Sequence, residues 1–130
     1  MIDNYIWVID DDAIYTFTIK KLLQKGQLAD KIDVFSNGQS AIDRLNKISL
    51  ESKNYPDIIL LDISMPVFDG WQFMDEFVKF VDKAAITVYM VSSSIDPRDK
   101  ERALQYKEIK NYVIKPITLE SLRELVEVKV

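Results

Sequence analysis

The sequence predicts an α/β fold in three layers, a parallel sheet with helices packed on both sides. Two observations predict it. Short apolar runs alternate with amphipathic stretches along the whole length, the pattern of strand–helix–strand units with right-handed crossovers. Three of the runs, at residues 5–9, 58–61 and 86–91, are almost continuously apolar, as expected of strands buried on both faces of a parallel sheet.

Taken in order, the run at 5–9 leads into a helix on which Tyr15, Thr18, Ile19, Leu22 and Leu23 share one face, by the helical period. A short second strand at 32–35 precedes a helix capped by Asn37, with Ala41, Leu45 and Ile48 facing the core. The third strand, 58–61, is followed by a stripe of Met74, Phe77, Val78 and Val81. After the strand at 86–91, Asp96-Pro97 opens a fourth helix, a cap followed by proline at the first helical position. A short strand at 112–114 and a helix capped by Thr118, with Leu119, Leu122 and Val126 inward, complete five strand–helix units. Met65-Pro66 and Asp69-Gly70 read as turn chemistry after the third strand.

The bulk composition narrows the chemistry. With 130 residues, 48% apolar and 29% charged, residues 1–130 are expected to form one globular domain. The net charge of −4 disfavours nonspecific binding to nucleic acid or anionic membrane. There is no cysteine and no histidine. That excludes thiol chemistry, zinc–thiolate sites, histidine-dependent triads and phosphorylation of a histidine on this chain. The first residues lack a basic stretch and the apolar run behind them is short, so no signal peptide is expected. No segment has the ~20 apolar residues of a membrane span, and a soluble, cytoplasmic protein is the expectation.

Doubly wound sheets bind ligands at the carboxyl ends of their strands. Here the first strand ends in three adjacent carboxylates, Asp10, Asp11 and Asp12. The third ends in Asp62, the fourth in Ser92, Ser93 and Ser94, and the fifth in Lys115-Pro116. Hard oxygen ligands without nitrogen or sulfur suit Mg²⁺. A divalent ion and Lys115 together would neutralise most of the acid. A carboxylate beside a metal, an ammonium and a hydroxyl can act as a nucleophile toward phosphorus, giving an aspartyl phosphate. Phosphoryl transfer is the reaction class this inventory supports.

V-I-D-D-D, L-L-D-I-S-M-P-V-F-D-G, V-S-S and Y-V-I-K-P, in this order and each at a strand end, resemble the receiver domains of two-component response regulators. The resemblance spans essentially the whole chain. It implies a flavodoxin-like sheet of order 2-1-3-4-5 with five helices. It implies Asp62 as phosphoacceptor, Asp11 as a direct Mg²⁺ ligand, Asp10 as a ligand acting partly through water, and the Ser64 backbone carbonyl completing the set. Ser92 matches the hydroxyl that bonds the phosphoryl group, Lys115 the lysine that pairs with it, and Tyr112 the switch aromatic. Lys115-Pro116 is expected to be cis. Two departures stand out. Tyr106 through Lys110 replace the small residues usual before the last strand, which leaves that loop's shape open. Ser64 and Ser94 occupy positions that tune the phosphoryl lifetime, and their small side chains leave water access open.

Plainer readings exist for each residue. Asp12 fits the first helical turn, where negative charge favours the dipole. Asp62 alone could cap a strand end and Lys115 could be a solvated charge. Ser93 reads as loop, Tyr112 could pack on the sheet edge, and Trp7 and Trp71 read as packing residues. The charge run from Asp96 to Arg102 reads as a solvated helix start, and Lys20 and Lys21 as solvent-facing.

The expectation is a phosphorylation-controlled switch that catalyses its own phosphotransfer and slow dephosphorylation rather than a turnover enzyme. Its donor would be a sensor histidine kinase or a histidine phosphotransfer protein. Its downstream protein would dock on the fourth helix, fifth strand and fifth helix. The end at Val130, just past the fifth helix, suggests either a stand-alone regulator or a receiver excised from a larger protein. Three alternatives share parts of the pattern. A pseudo-receiver would bind without being phosphorylated. A dehalogenase-superfamily phosphatase would use Asp10 and Asp12, but Ile14 stands where Thr or Val is usual. An FMN domain would place its phosphate where Asp10, Asp11 and Asp12 repel it.

Overall fold

The computed structural model describes residues 4–51, 54–80 and 85–127. Its five strands are β1 (Tyr5–Ile9), β2 (Lys31–Phe35), β3 (Ile58–Leu61), β4 (Thr87–Ser92) and β5 (Ile109–Ile114). They form one parallel sheet in the order β2-β1-β3-β4-β5. The helices α1 (Ala13–Lys25), α2 (Gly38–Leu50), α3 (Gly70–Phe77), α4 (Pro97–Leu104) and α5 (Leu119–Glu127) alternate with them. The predicted flavodoxin-like architecture and strand order are therefore observed.

The pleat sorts the core into two layers, because successive side chains on a strand point to opposite faces. Ile6 and Val8 of β1 join Ile58, Leu60, Tyr89 and Val91 beneath Ile19 and Leu23 of α1 and Leu122 and Val126 of α5. Tyr5, Trp7 and Ile9 project the other way, with Ile59, Leu61 and Met90, under α2, α3 and α4. Trp7 is fully buried and its ring centroid lies 4.5 Å from that of Phe35. Trp71 is covered by Arg102, 4.3 Å from its ring, and by the stacked Tyr106.

Local sequence sets the helix starts. Asn37 accepts from the Ser40 amide and Asp96 from the Arg98 amide, each at 2.9 Å, and Thr118 Oγ1 accepts from the Ser121 amide. Asp69-Gly70, expected as a turn, instead begins α3. Asp69 accepts from the Gln72 amide while the Gln72 side chain accepts from the Asp69 amide, a reciprocal cap that satisfies two otherwise orphaned donors. Val81, the last residue of the predicted third stripe, lies outside the described residues, as do residues 1–3.

Two further expectations are corrected. On α1, Thr18 is exposed and Thr16 is buried instead; Thr16 Oγ1 donates to the Ala13 carbonyl, which lets it turn inward. β5 starts at Ile109 rather than at residue 112. Val88 pairs with Ile109 but Tyr89 with Asn111, so Lys110 is an extra residue in the ladder. The bulge and the exposed polar pair Lys110 and Asn111 hide this edge strand from a pattern of apolar runs.

Candidate functional site

Parallel pairing delivers the strand ends to one edge. Ile9 pairs with Leu61, and the Asp62 amide donates to the Ile9 carbonyl at 2.9 Å. The Lys115 amide donates to the Ser92 carbonyl, also at 2.9 Å. These bonds set Asp62 beside Asp10 and bring Lys115 up from the end of β5. Asp10, Asp11 and Asp62 each offer a carboxylate oxygen, all within 4.8 Å of one another. Asp10 and Asp62 are buried and Asp11 is exposed. Asp11 opens onto a cleft of about 520 Å³ between the loop after β2, with Ser36 and Asn37, and the loop after β3, with Pro66 and Val67.

Lys115 Nζ donates to Asp10 Oδ2 at 2.7 Å and lies 3.7 Å from Asp62 Oδ1. Asp10 Oδ1 accepts from the Asp12 amide at 2.9 Å. Asp12 itself serves the helix, because its Oδ1 accepts from the Ile14 and Tyr15 amides and caps α1. The three adjacent carboxylates thus divide into a cap, Asp12, and two members of the acid cluster, Asp10 and Asp11.

Three carboxylates against one ammonium leave the pocket negative. Burial raises the Asp10 carboxyl above its usual range, although the Lys115 ammonium and the Asp12 amide pull the other way. Burial, then the Asp10 charge, pushes Asp62 up to about 6. A site that holds anions at this cost favours a cation, and the hard oxygen donor set fits Mg²⁺.

Ser92 is buried at the end of β4, and its Oγ accepts from the Ser94 amide at 3.1 Å. Ser93 is exposed. Ser94 Oγ donates to Asp99 at 2.5 Å, tying the loop after β4 to α4. Tyr112 is buried, and its hydroxyl donates to the Ser94 carbonyl at 2.9 Å. Ser64 is exposed, two residues beyond Asp62. The Lys115-Pro116 peptide is cis, as expected.

Sequence reasoning missed one neighbour of this pocket. Tyr15, counted on the apolar stripe of the first helix, has its ring centroid 4.0 Å from Lys115 Nζ. No local pattern carries that signal, because the two residues meet only through the tertiary fold.

Comparisons with known proteins identify the family and agree with the fold. The family model of the response regulator receiver domain matches residues 6–127. A two-component response regulator from Cytophaga hutchinsonii has a solved structure that superposes with a TM-score of 0.88 at 32% identity, covering 98% of this chain and 96% of that one. The probable methanogenesis regulatory protein FilR2 of Methanothrix harundinacea is 25% identical over 94% of this chain. Protein-glutamate methylesterase/protein-glutamine glutaminase 3 of Burkholderia thailandensis is 29% identical over 85%. The chain spans 78% of the length of the methanogenesis regulator but only 29% of that of the methylesterase. Fold and site define a signalling receiver module. The chain belongs to the response regulator receiver domain family of two-component systems.

Proposed function

We propose that this chain is a Mg²⁺-dependent phosphoacceptor switch, with Asp62 taking a phosphoryl group from the histidine of a sensor kinase or histidine phosphotransfer protein. The observation that carries the reading is the convergence of Asp62, Asp10, Asp11 and Lys115 on one sheet edge. In the transfer, an Asp62 oxygen attacks phosphorus. The bond from phosphorus to the donor breaks, and the donor leaves with that electron pair. Asp10, Asp11, Asp62 and the Ser64 carbonyl would hold Mg²⁺, which when bound offsets charge on the phosphoryl oxygens. Lys115, now 2.7 Å from Asp10 and 3.7 Å from Asp62, would pair with the same oxygens, exchanging part of its contact with Asp10. Ser92 Oγ, which accepts from the Ser94 amide and keeps its own hydrogen to donate, would offer them a hydroxyl donor.

The new charge then biases a two-state equilibrium of the loop after β4. Tyr112, bonded to the Ser94 carbonyl, couples that loop to β5. The face formed by α4, β5 and α5 would meet a downstream protein, and Leu104 and Ile114 stand half exposed there. No helix among the described residues is long and apolar enough to cross a membrane, and a cytoplasmic site of action is part of this proposal rather than drawn from that. Output is through protein contact rather than DNA or membrane binding by this chain, in keeping with its net charge of −4.

The test is incubation with acetyl phosphate, with and without Mg²⁺, followed by intact mass. One phosphoryl adduct is expected, absent in EDTA and absent from Asp62→Asn. No adduct on the wild-type chain with Mg²⁺ would leave a receiver that binds without phosphorylation. An adduct surviving Asp62→Asn would move the nucleophile elsewhere.

A further inference from the structure

We propose that Tyr15 is a positioning residue for Lys115: its ring face holds the ammonium between Asp10 and Asp62 and so sets how fast Asp62 is phosphorylated. The inference rests on the phosphoacceptor reading above. Tyr15 sits in the first turn of α1, and Lys115 Nζ stands 4.0 Å from its ring centroid. The same nitrogen is 2.7 Å from Asp10 and 3.7 Å from Asp62, with the lysine side chain only 17% exposed. The ammonium is therefore bounded by an acid, a second acid and an aromatic face, in a setting where little water competes.

The Tyr15 hydroxyl is buried and has no hydrogen-bond partner among the described residues. A hydrogen bond therefore does not fix the ring, and its ammonium contact is the polar relation that the side chain makes. Burial and the charges of Asp10, Asp62 and Asp12 raise the phenol, so it stays neutral and adds no anion to the cluster. An electron-rich face attracts a cation most strongly where the pair is desolvated. A lysine on a flexible four-carbon stem needs such a boundary. Without it, Nζ can settle on Asp10 alone or swing to solvent, and both positions leave Asp62 and its incoming phosphoryl oxygens without the lysine's charge.

The experiment uses the full chain with Mg²⁺ and acetyl phosphate, following adduct growth by intact mass. In this step the Asp62 oxygen bonds to phosphorus and acetate leaves with the electron pair of the broken bond. Tyr15→Leu should slow the step about three- to tenfold, whereas Tyr15→Phe should stay within about twofold of wild type. Fluorinated phenylalanines placed at position 15 keep the shape while draining charge from the face, and rates should fall stepwise along that series. This series also serves if Tyr15→Leu does not fold. In the unphosphorylated protein, the Lys115 ε-methylene protons should show an upfield ring-current shift, kept in Tyr15→Phe and lost in Tyr15→Leu. Equal rates for leucine and wild type, a flat fluorination series, or a phenylalanine variant as slow as leucine overturns the proposal. A wild-type chain that takes no adduct fails the phosphoacceptor reading instead, so the two failures are distinct.

Discussion

A Cβ on Gly70 would lie 2.4 Å from the Asp62 carbonyl oxygen and 2.9 Å from the Ile63 Cα. The start of α3 thus packs directly on the backbone that carries the candidate phosphoacceptor, held by a 2.8 Å bond from the Gly70 amide to the Ile63 carbonyl. Backbone cannot give way as a flexible side chain can. Gly70→Ala should therefore cost about 1–3 kcal/mol in urea unfolding and also slow adduct formation at Asp62. A variant as stable and as reactive as wild type would show that the strand end tolerates displacement.

The acid cluster makes a pH prediction for the metal-free protein. Asp62 titrates near 6 when folded, against an ordinary value of 3.8. Well below its unfolded value of 3.8 it is protonated in both states and the burial penalty is absent. As pH rises through 6 the folded chain must carry a buried anion, so this contribution to stability is lost. In EDTA, Asp62→Asn should be more stable than wild type at pH 7.5, by on the order of 1–3 kcal/mol, with the difference shrinking as pH falls from 6 and vanishing below about pH 3. A difference independent of pH, followed by thermal melts, would contradict the burial account.

Mg²⁺ should act in the opposite sense to that penalty. At ten times its dissociation constant, the ion should add about 1.4 kcal/mol to unfolding stability at pH 7.5 through its preference for the folded site. Asp11→Asn, which alters the exposed member of the cluster, should weaken the response with little change in EDTA. Melts insensitive to Mg²⁺ up to tens of millimolar would argue against a metal site here.

Val67 stands at φ 69°, in the left-handed region, and is 97% exposed. The Phe68 amide donates to the Pro66 carbonyl across it at 2.7 Å, closing a three-residue turn that a β-branched residue adopts at a cost. Val67→Gly, which removes the Cβ that makes positive φ costly, should raise the melting temperature by a few degrees, corresponding to about 1 kcal/mol. An unchanged or lowered melting temperature would mean that the turn carries no such strain.

Much of the site was legible because it sits where local patterns end. Apolar runs stop at Asp10, Asp62, Ser92 and Lys115, and the two-residue and 3.6-residue periods place those stops without knowledge of the fold. The caps at Asn37, Asp96 and Thr118 are likewise local, satisfied by amides within three residues. The cap at Asp69 was not among them: Asp69-Gly70 read as a turn, although Gln72 three residues on carries the local signal of a reciprocal cap.

By itself, the sequence determined which groups reach the sheet edge: hard oxygen donors, one ammonium and no histidine or thiol. The tertiary structure decided their relations. Lys115 and Asp10, 105 residues apart, meet because β1 and β5 flank the two strands between them, and Tyr15 joins them by reaching across from α1. The bulge at Lys110 and the onset of β5 also depend on the partner strand. Periodicity records what each segment buries, whereas contact between distant side chains depends on strand order and on packing that no single segment contains.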